Sequence, residues 1–173
     1  MTEQLKSIEL EQNVLGACLA NNAVIDDVAV ILKPEHFSEE IHAKIYHRLL
    51  NEAGKGSVDA LKLRPYFQNE ELLSGAGGAQ YLEDLQASAL GGMVVIGHAQ
   101  SILDLYKRRN LISEFQEKAA RLMSLEEPFE GIVGELDQVM TNLDTAGHAS
   151  PVSYTHLRAH ETKANLVCRL LLE

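Results

Sequence analysis

The chain has no tryptophan, and aromatic residues make up only 5% of it. Any core it builds must be aliphatic, which suits packed helices. It is short of positive charge, with 15 Lys and Arg against 25 Asp and Glu, a formal net of −10. A chain this acidic is a poor stand-alone binder of nucleic acid, whose phosphates need clustered cations. Its two cysteines, Cys18 and Cys168, form no spacing motif and read as unpaired thiols of a cytosolic protein. No apolar run approaches the roughly 18 residues of a membrane span. The first residues, MTEQLKS, hold no apolar segment of a secretory signal. What remains is 46% apolar over 173 residues, enough for one domain, or one domain with an appendage.

The pattern is helical throughout. Ser7 is placed to cap a helix in which Ile8, Glu11, Leu15, Cys18 and Leu19 share one stripe, with Glu9 and Glu11 near the positive end of its dipole. Asn21-Asn22 breaks that helix. Val24, Ile25, Val28, Ile31 and Leu32 make a second, stopped by Pro34. Phe37 is expected in the core. A third helix begins near Ser38 and buries Ile41, Ile45, Tyr46, Leu49 and Leu50. After the Gly54–Ser57 turn, Asp59 caps a short helix carrying Leu61, Leu63 and Phe67, which Pro65 is expected to kink or split. Tyr81, Leu82 and Leu85 begin another short helix, between glycine turns at Gly75–Gly78 and Gly91-Gly92.

From about Val94 to Met123 the pattern becomes one long helix. A second follows the turn at Glu127-Pro128 and carries Phe129, Ile132, Val133, Leu136, Val139, Met140 and Leu143. Spacings that alternate three and four are the coiled-coil signature, and two such stripes across a short turn predict an antiparallel hairpin. The expected class is all-α: a helical globule over 1–101, a helical hairpin over 102–145 and a linker over 146–151. An arm of two helices cannot bury all its apolar surface alone. Ile112, Phe115, Leu122, Phe129, Ile132, Leu136, Val139 and Leu143 are therefore read as an interface as well as self-packing.

Val152–Glu173 (VSYTHLRAHETKANLVCRLLLE) looks like the translation of a transposase-type sequencing adapter. The codons around Lys163-Ala164 leave room for a sample barcode. These residues are read as a non-native tail and set aside from the fold. Without them 12 basic and 23 acidic residues remain, a net of −11, and Cys18 is the one cysteine left.

Candidate chemistry is thin. Gly54-Lys55-Gly56-Ser57 lacks the upstream glycine, the preceding strand and the Lys-Ser order of a phosphate loop, so it reads as a turn. His36, His42 and His47 do not have the i, i+4 spacing of a helical metal pair, and no cysteine supports them. They read as packing or surface residues. Lys107-Arg108-Arg109 is the one basic cluster. It is either a solvated helix turn or a contact to an acidic partner or DNA. No catalytic, cofactor-binding or metal-ligating set emerges.

The order of weak motifs is more telling. Ser7-Ile8-Glu9, Glu11-Gln12 and Val14-Leu15-Gly16 come first, then Leu32-Lys33-Pro34-Glu35-His36-Phe37. His42, Ile45 and Tyr46 follow, then Val58-Asp59, Gly77-Gly78 and Tyr81-Leu82. Together they resemble the N-terminal domain of bacterial and phage replicative DNA helicases of the DnaB type, from Ser7 to about Asp144. Ile41, Ala43, Pro65, Ser88-Ala89-Leu90 and His98 depart from that pattern. The resemblance implies a cytoplasmic assembly and primase-docking domain of the primosome. It would self-associate, from dimer to hexameric ring, and contact primase and helicase loader. Single-stranded DNA would be met only through the full-length ring. ATP and Mg would belong to a RecA-like domain following Pro151, so this fragment would hold no cofactor and be inactive alone. The alternative is a free-standing helical protein that regulates a helicase. A third reading, a small helical enzyme using the His36/His42 region, would require a bound metal.

Overall fold

A computed structural model of the chain describes residues 3–68, 73, 78, 80–91, 93–124 and 128–147. Residues 148–151 of the predicted linker, the 152–173 tail and most of the Gly75–Gly78 turn lie outside these, whereas Ala146 and Gly147, expected in the linker, belong to the last helix. The described residues are helical and contain no strand. Helix α1 spans Ile8–Ala20, α2 Ala23–Ile31, α3 Glu40–Ala53 and α4 Ala60–Phe67. Helix α5 spans Gln80–Ala87, α6 Met93–Ser124 and α7 Phe129–Gly147. Two 3₁₀ turns, Glu3–Leu5 and Pro34–His36, precede α1 and α3. The chain clusters into two compact units, Met1–Glu114 and Phe115–Glu173, so α6 contributes to both. The second unit is the antiparallel hairpin of late α6 and α7.

Helix α1 is the centre of the first unit. Val14, Leu15, Cys18 and Leu19 are buried on it, against Val28 and Leu32, Ile45 and Leu49, Leu82 and Leu85, and Val95, Ala99 and Ile102 of α6. Each such side chain contributes about 1.5–3 kcal/mol by leaving water. At Gly16 the backbones of α1 and α5 come so close that a β-carbon would overlap the Leu85 carbonyl oxygen. Burial raises the Cys18 thiol to about 12, so it behaves as a small apolar residue rather than a nucleophile.

The corner between α1 and α2 is held by two asparagines. Asn21 Oδ1 accepts from the Ala23 N–H at 3.1 Å. Asn22 reaches across the fold. Its Oδ1 accepts from the Val58 N–H at 2.8 Å, and its Nδ2 donates to the Val58 carbonyl at 2.7 Å. Helix α2 ends at Ile31 ahead of Pro34, and Phe37 is buried with its ring 5.0 Å from Tyr46. Asp59 caps α4 as its sequence implies, accepting from the Lys62 N–H at 2.8 Å.

Four details differ from the sequence reading. Pro65 does not split α4, which runs through it to Phe67 because buried Leu63 and Phe67 hold the last turn to the core. Ile8 and Leu61, expected inside, are 48% and 65% exposed. Ser7 precedes α1 but its side chain makes no cap hydrogen bond. Helix α3 starts at Glu40, and the Ser38 N–H just before it is taken by Glu11 of α1.

Candidate functional site

Glu11 sits on the apolar stripe of α1 and is 1% exposed. A carboxylate that deep needs partners. Its Oε1 accepts from the Ser38 backbone N–H at 2.7 Å and from the Ser38 hydroxyl at 2.6 Å. Its Oε2 meets His42 Nδ1 at 2.7 Å and accepts from the Glu39 N–H at 3.4 Å. His42 Nε2 lies 2.7 Å from the Tyr81 hydroxyl, which accepts from Gln12 Nε2 at 2.9 Å. One proton assignment satisfies every atom. Gln12 donates to Tyr81, Tyr81 donates to His42 Nε2, and His42 Nδ1–H donates to Glu11. Burial pushes the Glu11 carboxyl up, but the hydrogen bonds from His42 and Ser38 outweigh it and leave its pKa below the ordinary value. Burial raises the Tyr81 phenol, against the bond from Gln12.

Carboxylate, imidazole and hydroxyl in a row have the order of a nucleophile relay. Here the hydroxyl is filled from both sides. The clefts at Asn22–Ser57, Ala20–Ala87 and Lys6–Glu39 are not lined by Glu11, His42 or Tyr81. The relay is a clamp that fastens α1, α3 and α5 together. Its sequence signal was a charged residue on an apolar stripe.

The other polar candidates also have structural partners. His36 Nδ1 accepts from the Lys33 N–H at 3.1 Å, and its ring packs 4.6 Å from Tyr106. His47 faces Asn51. Among the described residues no three His, Cys, Asp or Glu side chains are grouped to hold a metal ion. In the Gly54–Ser57 turn Gly56 takes φ +135°, and Lys55 Nζ bonds Glu52 at 3.0 Å. Within the basic cluster the two arginines have partners in the chain. Arg108 pairs with Asp104 at 2.7 Å, while Arg109 donates to the Leu5 and His36 carbonyls at 2.7 and 2.8 Å.

Among the described residues the hairpin carries exposed apolar side chains on both of its helices. Its seam is fixed by charge. Arg121 grips Glu135 with two bonds, at 2.7 and 3.0 Å, and Lys118 reaches Glu135 at 2.9 Å. Hydrogen bonds from Arg121 and Lys118 hold the Glu135 carboxyl at about 2. Ile132 is 1% exposed at this seam, and Leu136 and Val139 are half-buried. Phe115, Leu122 and Phe129 are exposed, as is Ile112, which belongs to the first unit. The Leu143 side chain lies outside the described residues.

Sequence reading did not place Met123, Val133 and Met140 on the surface, and they are 82%, 42% and 52% exposed. At ~100° per residue, Phe129, Val133 and Met140 fall within about 40° on α7, and Phe115 and Leu122 within about 20° on α6. Both stripes lie less than a third of a turn from the seam, in the same rotational sense. On antiparallel helices they therefore share one side of the hairpin. That arrangement can dock an apolar surface; it holds no group for catalysis.

A family model for the DnaB-like helicase N terminal domain matches residues 3–104. Replicative DNA helicase DnaB of Rickettsia felis is 34% identical over 112 residues, 64% of this chain and 23% of that protein. The DnaB of Geobacillus stearothermophilus is 28% identical over 145 residues, 83% of this chain and 32% of that protein. The crystal structure of the N-terminal domain of DnaB helicase from Mycobacterium tuberculosis matches at a TM-score of 0.69 and 22% identity. It covers 79% of this chain and 97% of that one, and shows a shared fold. A DnaB-like replicative helicase, described with its interactions with primase, matches at a TM-score of 0.59 and 28% identity, over 82% of this chain and 35% of that one. The chain spans less than a third of the length of these curated relatives.

Proposed function

Because the chain belongs to the DnaB-like helicase N-terminal domain family, we propose that it is the assembly and primase-docking end of a replicative DNA helicase, acting in DNA replication within the primosome. The observation that carries this reading is the apolar side of the hairpin, with Phe129, Val133 and Met140 exposed on one helical stripe. A fold of this family with such an arm is built to be covered by other chains rather than to turn over a substrate. The docking residues are Ile112, Phe115, Leu122, Phe129, Ile132, Leu136, Val139 and Leu143, with Ile132 acting from within the seam. In the assembled protein these domains form the collar of a ring, meeting primase and helicase loader in the cytoplasm. Unwinding, ATP and Mg belong to a separate RecA-like domain. The organisation is a globule over 1–101, an arm from 102 to the end of α7 at Gly147, a linker after it and a non-native tail over 152–173.

Light scattering of the chain across a concentration series tests the assembly role, and titration with a bacterial primase tests the docking role. Growth in mass with concentration, and saturable binding of primase, are expected. A strict monomer at high concentration that ignores primase would overturn the proposal.

A further inference from the structure

Lys107-Arg108-Arg109 is the one sequence motif that the proposed function leaves unused, and its two arginines do different things. Arg108 is spent on Asp104 within its own helix. Arg109 leaves the helix and enters the first unit. Its guanidinium joins two points of the chain far apart in sequence, donating to the Leu5 carbonyl at 2.7 Å and the His36 carbonyl at 2.8 Å. Each carbonyl belongs to the last residue of a 3₁₀ turn, Glu3–Leu5 and Pro34–His36. The ends of such turns expose unpaired carbonyls that carry partial negative charge, and a cation stabilises them. A planar fork with several N–H donors can serve two acceptors at once; an ammonium on a flexible stem does so poorly. One turn of α6 earlier, Tyr106 packs its ring 4.6 Å from that of His36. Lys6, next to Leu5, reaches Glu39 at 3.5 Å, beside the Ser38 that Glu11 holds. The N-terminal turn, the Lys33–Phe37 turn and the root of α6 thus meet at one guanidinium.

We infer that Arg109 is a positioning residue: it fastens the root of α6, from which the hairpin is built, to the two 3₁₀ turns, and so makes assembly through the arm depend on the docked N-terminal segment. This rests on the proposed assembly role. The geometry also assigns a function to the N-terminal residues, as a strap whose presence the arm's root senses through Arg109.

The test compares the full chain with Arg109→Gln, Arg109→Lys and a variant lacking Thr2–Lys6, singly and combined. Amide exchange over residues 104–112 is the first readout, since losing a charge-assisted pair of bonds opens a helix root on the order of tenfold more often. Faster exchange there is expected in Arg109→Gln and in the shortened chain. Partial rescue is expected in Arg109→Lys, and shortening should add no further change to Arg109→Gln. Concentration-dependent mass is the second readout, and it should weaken in the same order. Unchanged exchange in Arg109→Gln, or effects of glutamine and shortening that simply add, would overturn the inference. A wild-type chain that is monomeric, yet shows the coupled exchange, would sink the assembly role and confine Arg109 to fastening the root. If Arg109→Gln loses circular-dichroism signal throughout, Arg109→Lys and the shortened chain carry the comparison.

Discussion

The Glu11 carboxylate fastens the approach to a helix it does not belong to, accepting from the Ser38 backbone N–H at 2.7 Å just ahead of α3. The same carboxylate takes His42 Nδ1. An amide replaces it poorly. Its oxygen can still accept from Ser38, but its NH₂ faces the Glu39 N–H and can donate to His42 Nδ1 only if the imidazole changes tautomer and gives up the proton it takes from Tyr81. Glu11→Gln should therefore lower stability by about 2–3 kcal/mol, the cost of leaving buried donors unpaired. A urea melt followed by circular dichroism measures it. A loss below about 0.5 kcal/mol, within the range of ordinary surface substitutions, would show that the network bears no weight.

Gly16 and Leu85 give a second prediction. Alanine is the better helix former by roughly 1 kcal/mol, so Gly16→Ala would stabilise an isolated α1. In the folded chain the new β-carbon collides with the Leu85 carbonyl, which is backbone and cannot swing aside. Overpacking of this kind costs about 1–3 kcal/mol. The expected net effect is a lower melting temperature, and a rise would mean that α1 and α5 separate readily.

The helices, the Asn21-Asn22 corner, the stop before Pro34 and the Asp59 cap were legible because each depends on neighbours within a few residues. The bond from Lys62 to Asp59 is local chemistry. Glu11 was legible only as an anomaly. Its partners His42 and Ser38 lie 31 and 27 residues away, and no local rule pairs them. Arg109 looked like part of a charged turn for the same reason, its acceptors being 104 and 73 residues distant. Pro65 misled in the other direction, because tertiary burial of Leu63 and Phe67 overrode a local breaker. On α7 the three-and-four spacing included the seam residues Ile132, Leu136 and Val139, but on α6 its Phe115 and Leu122 are exposed and Lys118 and Arg121 hold the seam instead. The spacing could not separate Ile132, which is inside, from Val133, which is not, since adjacent residues differ by only about 100°.

Acid should act on both units. The Glu11 and Glu135 carboxyls have folded values below their ordinary ones. A depressed acid contributes stability that is complete above its unfolded value, about 4.3, and is lost as pH falls through the folded value. For Glu135 that window runs from about 4 down to about 2. His36 is also held low, by burial and by the nearby Lys33, Lys107 and Arg109 against Glu35. Its contribution is complete above about 6.5 and declines below it. Melting temperature against pH should be flat from about 7 to about 8, sag gently below that and fall steeply under pH 4. Glu135→Gln should flatten the steepest part, and an unaltered acid limb would contradict the Arg121–Glu135–Lys118 account.

The hairpin offers the sharpest separation of packing from docking. Ile132 is buried at the seam, so Ile132→Ala should cost about 2–4 kcal/mol. Phe129 and Met140 are exposed, so Phe129→Ser with Met140→Ser should leave the melt almost unchanged. If the exposed side docks other chains, this double variant should lose concentration-dependent mass while keeping its fold. Leu136→Asp, at a half-buried position between the two sets, should weaken association and the hairpin together while the first unit stays helical. A double variant that assembles like the wild type would move the docking surface off this side of the hairpin. Collapse of the whole helical signal in Leu136→Asp would show that the two units do not fold separately.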